Sequence, residues 1–176
     1  MAHRSEETPH MREKQGIDPE FTYRMPQGNM EQHHCSTVVV SCIDFRFREA
    51  NDAFIEKGLG EKNFDTLNYP GGGKSFASDG PERELLADKI EQVCVDLHDV
   101  KRIVIMNHWD CGGYGGSGHF HSPDEEEETY RSDLEKARVY LKRRFPNLDI
   151  VAVYNKLDGE NLKYQILKEK AEEEAA

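Results

Sequence analysis

The chain has 176 residues, of which 34 are acidic and 23 basic, giving a formal net charge of −11 at pH 7, and it carries four cysteines. That length suits one domain burying roughly 70% of its unfolded surface, which needs no disulfide framework, and the acid excess argues against a nucleic acid or an anionic membrane as partner. No apolar run approaches the roughly 20 residues of a membrane span, and the polar N-terminus lacks the apolar core of an export signal, so the expected location is the cytoplasm.

Residues 1–34 read as a polar arm without sustained periodicity, and the stretch around Met1 to Met11 reads in part as an expression leader. His33-His34-Cys35 sets three ligand types side by side, but neighbouring side chains of an extended segment point opposite ways, so the triplet reads as a polar entry to the first strand. Thr37 to Ser41 is β-branched and apolar, as expected of a parallel strand covered on both faces. From Phe47 to Lys57 the apolar residues Phe47, Ala50 and Phe54 recur at helical spacing, and Gly58 and Gly60 stop the helix. Phe64 to Tyr69 reads as a second strand, ending in Pro70-Gly71-Gly72-Gly73, where the backbone can turn sharply or approach a site closely.

Gly80-Pro81 opens a helix with Glu82 and Glu84 in its positive first turn. Leu86, Ile90, Val93, Cys94 and Leu97 fall on one face of it, which makes Cys94 a core residue. Arg102 to Asn107 is the third strand, and the glycine-rich residues 108–124 are either a disordered connection or an active-site loop. Glu125 to Phe145 forms the longest helix, with Tyr130, Leu134, Ala137, Leu141 and Phe145 on one face. Its acidic start and basic finish match the helix dipole, so the run Glu125 to Glu128 asks for no functional explanation. Leu148 to Tyr154 is a fourth strand, Asp158-Gly159 a turn, and Leu162 to Leu167 a fifth strand returning antiparallel. A charged tail, 169–176, follows the domain at 35–168.

Strands alternating with helices predict an α/β domain: a mainly parallel sheet of order 2-1-3-4 with an antiparallel fifth strand, flanked by helices. Ligands of such sheets gather at the carboxyl ends where strands one and three adjoin. Cys42 follows the first strand, and His108 and Cys111 follow the third, so the topology brings them together. Thiolate and imidazole are zinc ligands, and a catalytic zinc keeps three protein ligands with a fourth position for water, whose pKa falls toward ~7 to make a metal-bound hydroxide. Cys35 and Cys94 offer no convincing fourth ligand to that set. Asp44 and Arg46 lie just beyond Cys42. A guanidinium fork keeps an aspartate ionised to accept a hydroxide's hydrogen, although the same pair on a surface would be an ordinary ion pair of little energy. His119 and His121 could relay protons, but surface histidines are common without that role.

Cys42-Ile43-Asp44-Phe45-Arg46 with His108-Trp109-Asp110-Cys111-Gly112 resembles the signature pair of the β-class carbonic anhydrases, and the order of elements is similar from about Ser36 to Leu167. The resemblance implies a zinc enzyme that interconverts carbon dioxide and bicarbonate and forms a homodimer or higher homo-oligomer. It implies zinc on Cys42, His108 and Cys111, an orienting dyad of Asp44 and Arg46, Asp44 as an alternative fourth ligand, and substrate binding at Gly112. Two departures adjoin the expected pocket. Phe45 stands where the family usually has a small residue, and Leu67 to Gly73 is only partly similar to the family's segment after strand two. They leave open a carbonyl sulfide or carbon disulfide hydrolase on the same scaffold, and a zinc-binding scaffold protein without catalysis.

Overall fold

Short apolar runs rich in β-branched residues, separated by helical patterns, build the sheet. The computed structural model describes residues 22–25 and 32–168; most of the expected N-terminal arm, and the tail 169–176, lie outside the described residues. Contacts group the chain into Met1–Gln32 and His33–Ala176, and every strand and helix below belongs to the second unit. The strands are β1 Thr37–Ser41, β2 Phe64–Asn68, β3 Arg102–His108, β4 Asp149–Asp158 and β5 Asn161–Ile166, in the order β2-β1-β3-β4-β5. The first four are parallel, and β5 returns antiparallel through a turn in which Gly159 has φ 62°. This is the predicted order. β3 runs one residue further than expected, so that His108 itself pairs with Asn155 of β4.

Side-chain alternation divides the core between two faces. Val38, Val40, Ile103, Ile105 and Ala152 face helices α2 (Lys74–Ala77), α3 (Pro81–Lys89) and α4 (Pro123–Arg144), where Tyr130, Leu134, Ala137 and Leu141 are fully buried. Val39, Val104, Met106 and Val153 pack on the other face against Ile55, with Phe54 and Leu59 alongside, in the π-helical extension (Phe54–Gly58) of α1 (Arg48–Ala53) and just beyond it. Burying a side chain of this size contributes about 1.5–3 kcal/mol.

One predicted helical face does not survive. From Ile90 to Val95 α3 widens into a π-helical turn, in which Asp96 N donates to Glu91 O at 2.9 Å, five residues back. The wider turn rotates the side chains that follow it. Leu86 and Ile90 are buried, but Val93 is 42% and Leu97 59% exposed, and Cys94, expected in the core, is half-buried at its margin. The glycine-rich connection 108–124 is folded, with two 3₁₀ turns at Gly112–Tyr114 and Ser117–His119. It ends at Ser122, whose Oγ caps α4 by accepting from Glu125 N at 3.1 Å.

Candidate metal centre

Because β1 and β3 are neighbours, Cys42, one residue past β1, and His108, the last residue of β3, meet at the carboxyl end of the sheet. Cys111 reaches the same point from the turn after β3. The two sulfurs lie 3.7 Å apart, and the ligand atoms of Cys42, His108 and Cys111 all lie within 4.8 Å of one another. His108 is 3% exposed, and its Nδ1 is 2.7 Å from Trp109 O. A carbonyl only accepts, so Nδ1 carries the proton and Nε2 presents a lone pair. That Nε2 is buried with no hydrogen-bond partner. A buried, unpaired polar atom costs free energy, and a cation beside two sulfurs removes that cost. Two sulfurs and one imidazole suit zinc.

The sulfurs interact electrostatically even without a cation. The Cys42 thiol is drawn below the usual range, first by a hydrogen bond with Cys111 and also by the backbone amides of Gly71 and Asp44, against the effect of burial. Cys111 is pushed up by the same pairing and by its own burial.

Asp44 caps a 3₁₀ turn, Phe45–Phe47, by accepting from Arg46 N at 3.0 Å. The Arg46 guanidinium folds back on it: Nε lies 3.1 Å from each carboxylate oxygen and Nη2 2.6 Å from Oδ2. The fork has a second arm, with Nη1 donating to Asp110 Oδ2 at 2.9 Å and Nη2 to Asp110 O at 3.0 Å. Arg46 therefore bridges the two ligand-bearing turns. Its bonds hold the Asp44 carboxyl below the usual carboxylate range. At Asp110 the larger cause of the same shift is the Ser117 amide, with Arg46 second.

A further layer holds the His-x-x-Cys turn. Asp110 has φ 53°, a left-handed backbone rare outside glycine, and it is pinned there. Its N donates to Glu126 Oε1 at 2.8 Å, and its Oδ1 accepts from Ser117 N at 2.9 Å. Glu126 is 3% exposed and also accepts from Ser117 Oγ and Tyr130 Oη, both at 2.9 Å, while Tyr130 Oη accepts from Cys111 N at 3.2 Å. The expectation that Glu125 to Glu128 serves the dipole alone is therefore corrected for Glu126. Its position four residues before Tyr130, on the apolar stripe of α4, was the available signal. Asp110 stood between the two ligands in the sequence with nothing there to reveal its bond to Arg46.

The Pro70-Gly71-Gly72-Gly73 turn closes the other side. Gly73 N donates to Asn107 Oδ1 at 2.8 Å, and Lys74 Nζ to Gly113 O at 2.6 Å. A Cβ on Gly113 would come within 2.6 Å of Gly71 N, whereas one on Gly112, the expected substrate-binding glycine, would meet nothing within 4 Å. The close backbone approach is thus made by Gly113. Cys42 and Asp44 line a cavity of about 350 Å³ with Val39, Ser41, Asn51 and Asn68. Phe45 borders it but is 84% exposed, so its bulk lies mostly in solvent. His121 bonds Glu125, with Nδ1 2.9 Å from Oε2, and stands at the surface.

Among known proteins, the chain is 30% identical over 132 residues to an uncharacterized protein of Rickettsia conorii, covering 72% of this chain and 70% of that one. It is 29% identical over 132 residues to an uncharacterized protein of Rickettsia bellii, covering 72% and 80%. Solved structures of similar chain path are the β-carbonic anhydrase isoform I of Trichomonas vaginalis and the β-carbonic anhydrase CafA of Aspergillus fumigatus. The first has a TM-score of 0.45 at 18% identity over 84% of this chain and 88% of that one; the second has 0.40 at 16% identity over 76% of each. The family model described as "Putative carbonic anhydrase" matches residues 32–164, well over half of the sequence, and the chain belongs to that family.

Proposed function

We propose that this protein catalyses the reversible hydration of carbon dioxide to bicarbonate, with zinc held by Cys42, His108 and Cys111. The observation that carries the reading is the buried, unpartnered Nε2 of His108 beside two sulfurs 3.7 Å apart, with a guanidinium-held carboxylate two residues beyond one of them. Zinc, when bound, supplies a Lewis acid that brings the ionisation of water toward pH ~7. The chain's own residues do the rest. Asp44 is kept ionised by Arg46, so it can only accept a hydrogen, and accepting one turns the nucleophile's lone pair toward the substrate carbon. Arg46, tied to Asp110 as well, fixes the direction in which Asp44 points.

Both oxygens of Asp44 are engaged by Arg46, which favours the orienting role over that of a fourth zinc ligand. The exposure of Phe45 leaves the sulfur analogues of carbon dioxide without a structural feature that favours them. A purely structural zinc would have no use for the Asp44–Arg46 fork. Ile43, 60% exposed, and Phe45 are large apolar side chains beside the site, which suits burial against a second copy in a homo-oligomer. Among the described residues no helix is long and apolar enough to cross a membrane.

The test is stopped-flow carbon dioxide hydration, followed with a pH indicator on zinc-loaded protein at neutral and alkaline pH. A zinc-dependent rate well above buffer is expected. No rate at either pH, with zinc bound, would overturn the proposal and direct the assay to sulfide release from carbonyl sulfide or carbon disulfide.

A further inference from the structure

A second set of thiol, carboxylate and imidazole groups comes together at the opposite end of the sheet. Cys35 lies two residues before β1, and its backbone N donates to His98 O at 3.0 Å, which ties the entry of β1 to the connection between α3 and β3. Asp65, the second residue of β2, accepts from or pairs with His98 Nδ1 at 2.8 Å. Ligand atoms of Cys35, Asp65 and His98 all lie within 4.8 Å of one another. Cys94 lies half-buried nearby, and its thiol is pushed up first by burial and then by Asp65. The π-helical turn that rotated Val93 and Leu97 outward leads into His98, whose N donates to Val93 O at 3.0 Å, and Val100 N donates to Cys94 O at 2.9 Å.

We infer that Cys35, Asp65 and His98 form a second metal site, selective for a divalent cation of the zinc class and separate from the carboxyl-end centre. One sulfur, one imidazole and one carboxylate are donors that zinc accepts, and they come from three segments of the chain. The cation takes a ring nitrogen of His98, and each thiol that coordinates releases its proton to solvent, so uptake weakens as pH falls. Roughly 20 Å of chain separates Cys35 from Cys42 across β1, so the two sites share no ligand. The role of the second is structural: it clamps the lead-in of β1, the start of β2 and the α3–β3 connection.

The experiment is metal stoichiometry on the full chain. Reduced, metal-stripped protein is titrated with Zn²⁺ against a chromophoric chelator, and with Co²⁺ for its thiolate charge-transfer absorption. Two equivalents are expected for the natural chain. Cys35→Ser/Cys94→Ser should bind one and keep its carbon dioxide hydration rate, if that activity is present. Cys42→Ser should bind one and retain a cobalt–thiolate band. Asp65→Asn with His98→Gln, which alters neither thiol, should also lower the count to one and serves if the cysteine variant fails to fold. A single equivalent in the natural chain, or a second that survives the Cys35→Ser/Cys94→Ser change, overturns the inference. So does protection of Cys35 and Cys94 from alkylation by a disulfide in place of metal. None of these outcomes depends on whether the carboxyl-end centre hydrates carbon dioxide.

Discussion

Sulfur and imidazole gather at both ends of this sheet, yet the two ends are built differently. At the carboxyl end the histidine and one cysteine are buried, and the histidine nitrogen that points inward has no partner. At the amino end Cys35, Asp65 and His98 are all partly exposed, and His98 already bonds Asp65. A cation at the first end meets a lone pair that nothing else uses; at the second it must displace a hydrogen bond. The lesson is that donor identity alone does not rank metal sites: what each donor would otherwise be bonded to sets the difference in affinity.

The most drastic way to break the comparison is at the carboxyl end. Cys42→Ser or His108→Ala should take hydration to the buffer rate and remove the metal bound there, as read by stopped flow and by metal analysis. Asp44→Asn should keep that metal and lower turnover about 10–100-fold, the usual cost of losing a group that orients a metal-bound reactant; full activity in this variant would contradict the role given to Asp44. Graded chelation sharpens the contrast between the ends. The amino-end equivalent should leave first, with the hydration rate unchanged until the second is drawn off.

Smaller effects concern stability. Glu126→Ala leaves the Asp110 amide and the Tyr130 hydroxyl without their acceptor and should cost roughly 2 kcal/mol in urea unfolding. Smallest is the acid dependence of the Arg46 bridge. The carboxyls of Asp44 and Asp110 are held below their usual range, so each contributes stability that is present above the unfolded value of ~3.9 and is lost as pH falls through the lower folded value. Asp110→Asn should make acid unfolding below pH ~4 shallower, by less than ~1 kcal/mol because the bridge is partly exposed.

The sheet order was legible because each strand is a short apolar run and strands one and three must adjoin in that winding. Cys42, His108 and Cys111 were legible for the same reason, as residues at the ends of two such runs. What stayed hidden depends on rotation and on long-range pairing. Helical spacing of 3.6 assumes no π turn, so it placed Val93 and Leu97 on the core face and gave Cys94 no other neighbour. Cys35, Asp65 and His98 come from the lead-in of β1, the start of β2 and the α3–β3 connection, whose relative positions only the folded sheet sets. Glu126 was hidden in plain view, a carboxylate on an apolar stripe inside a run of like charges.

The adjacency of β1 and β3 also bears on how the chain reaches its native state. Cys42 and Cys111 are 69 residues apart in sequence, and β2, α2 and α3 lie between them. Bringing them together is a loop closure whose entropy must be met before either sulfur finds the other. A cation bound by both therefore binds the native state and hardly the unfolded one, which slows the opening of the crossover and raises the midpoint of thermal unfolding with metal concentration. Metal-free protein, by the same reasoning, should loosen first at the turns after β1 and β3, where Cys42 and Cys111 lie, and hydrogen-exchange protection there would measure how tightly the crossover is held.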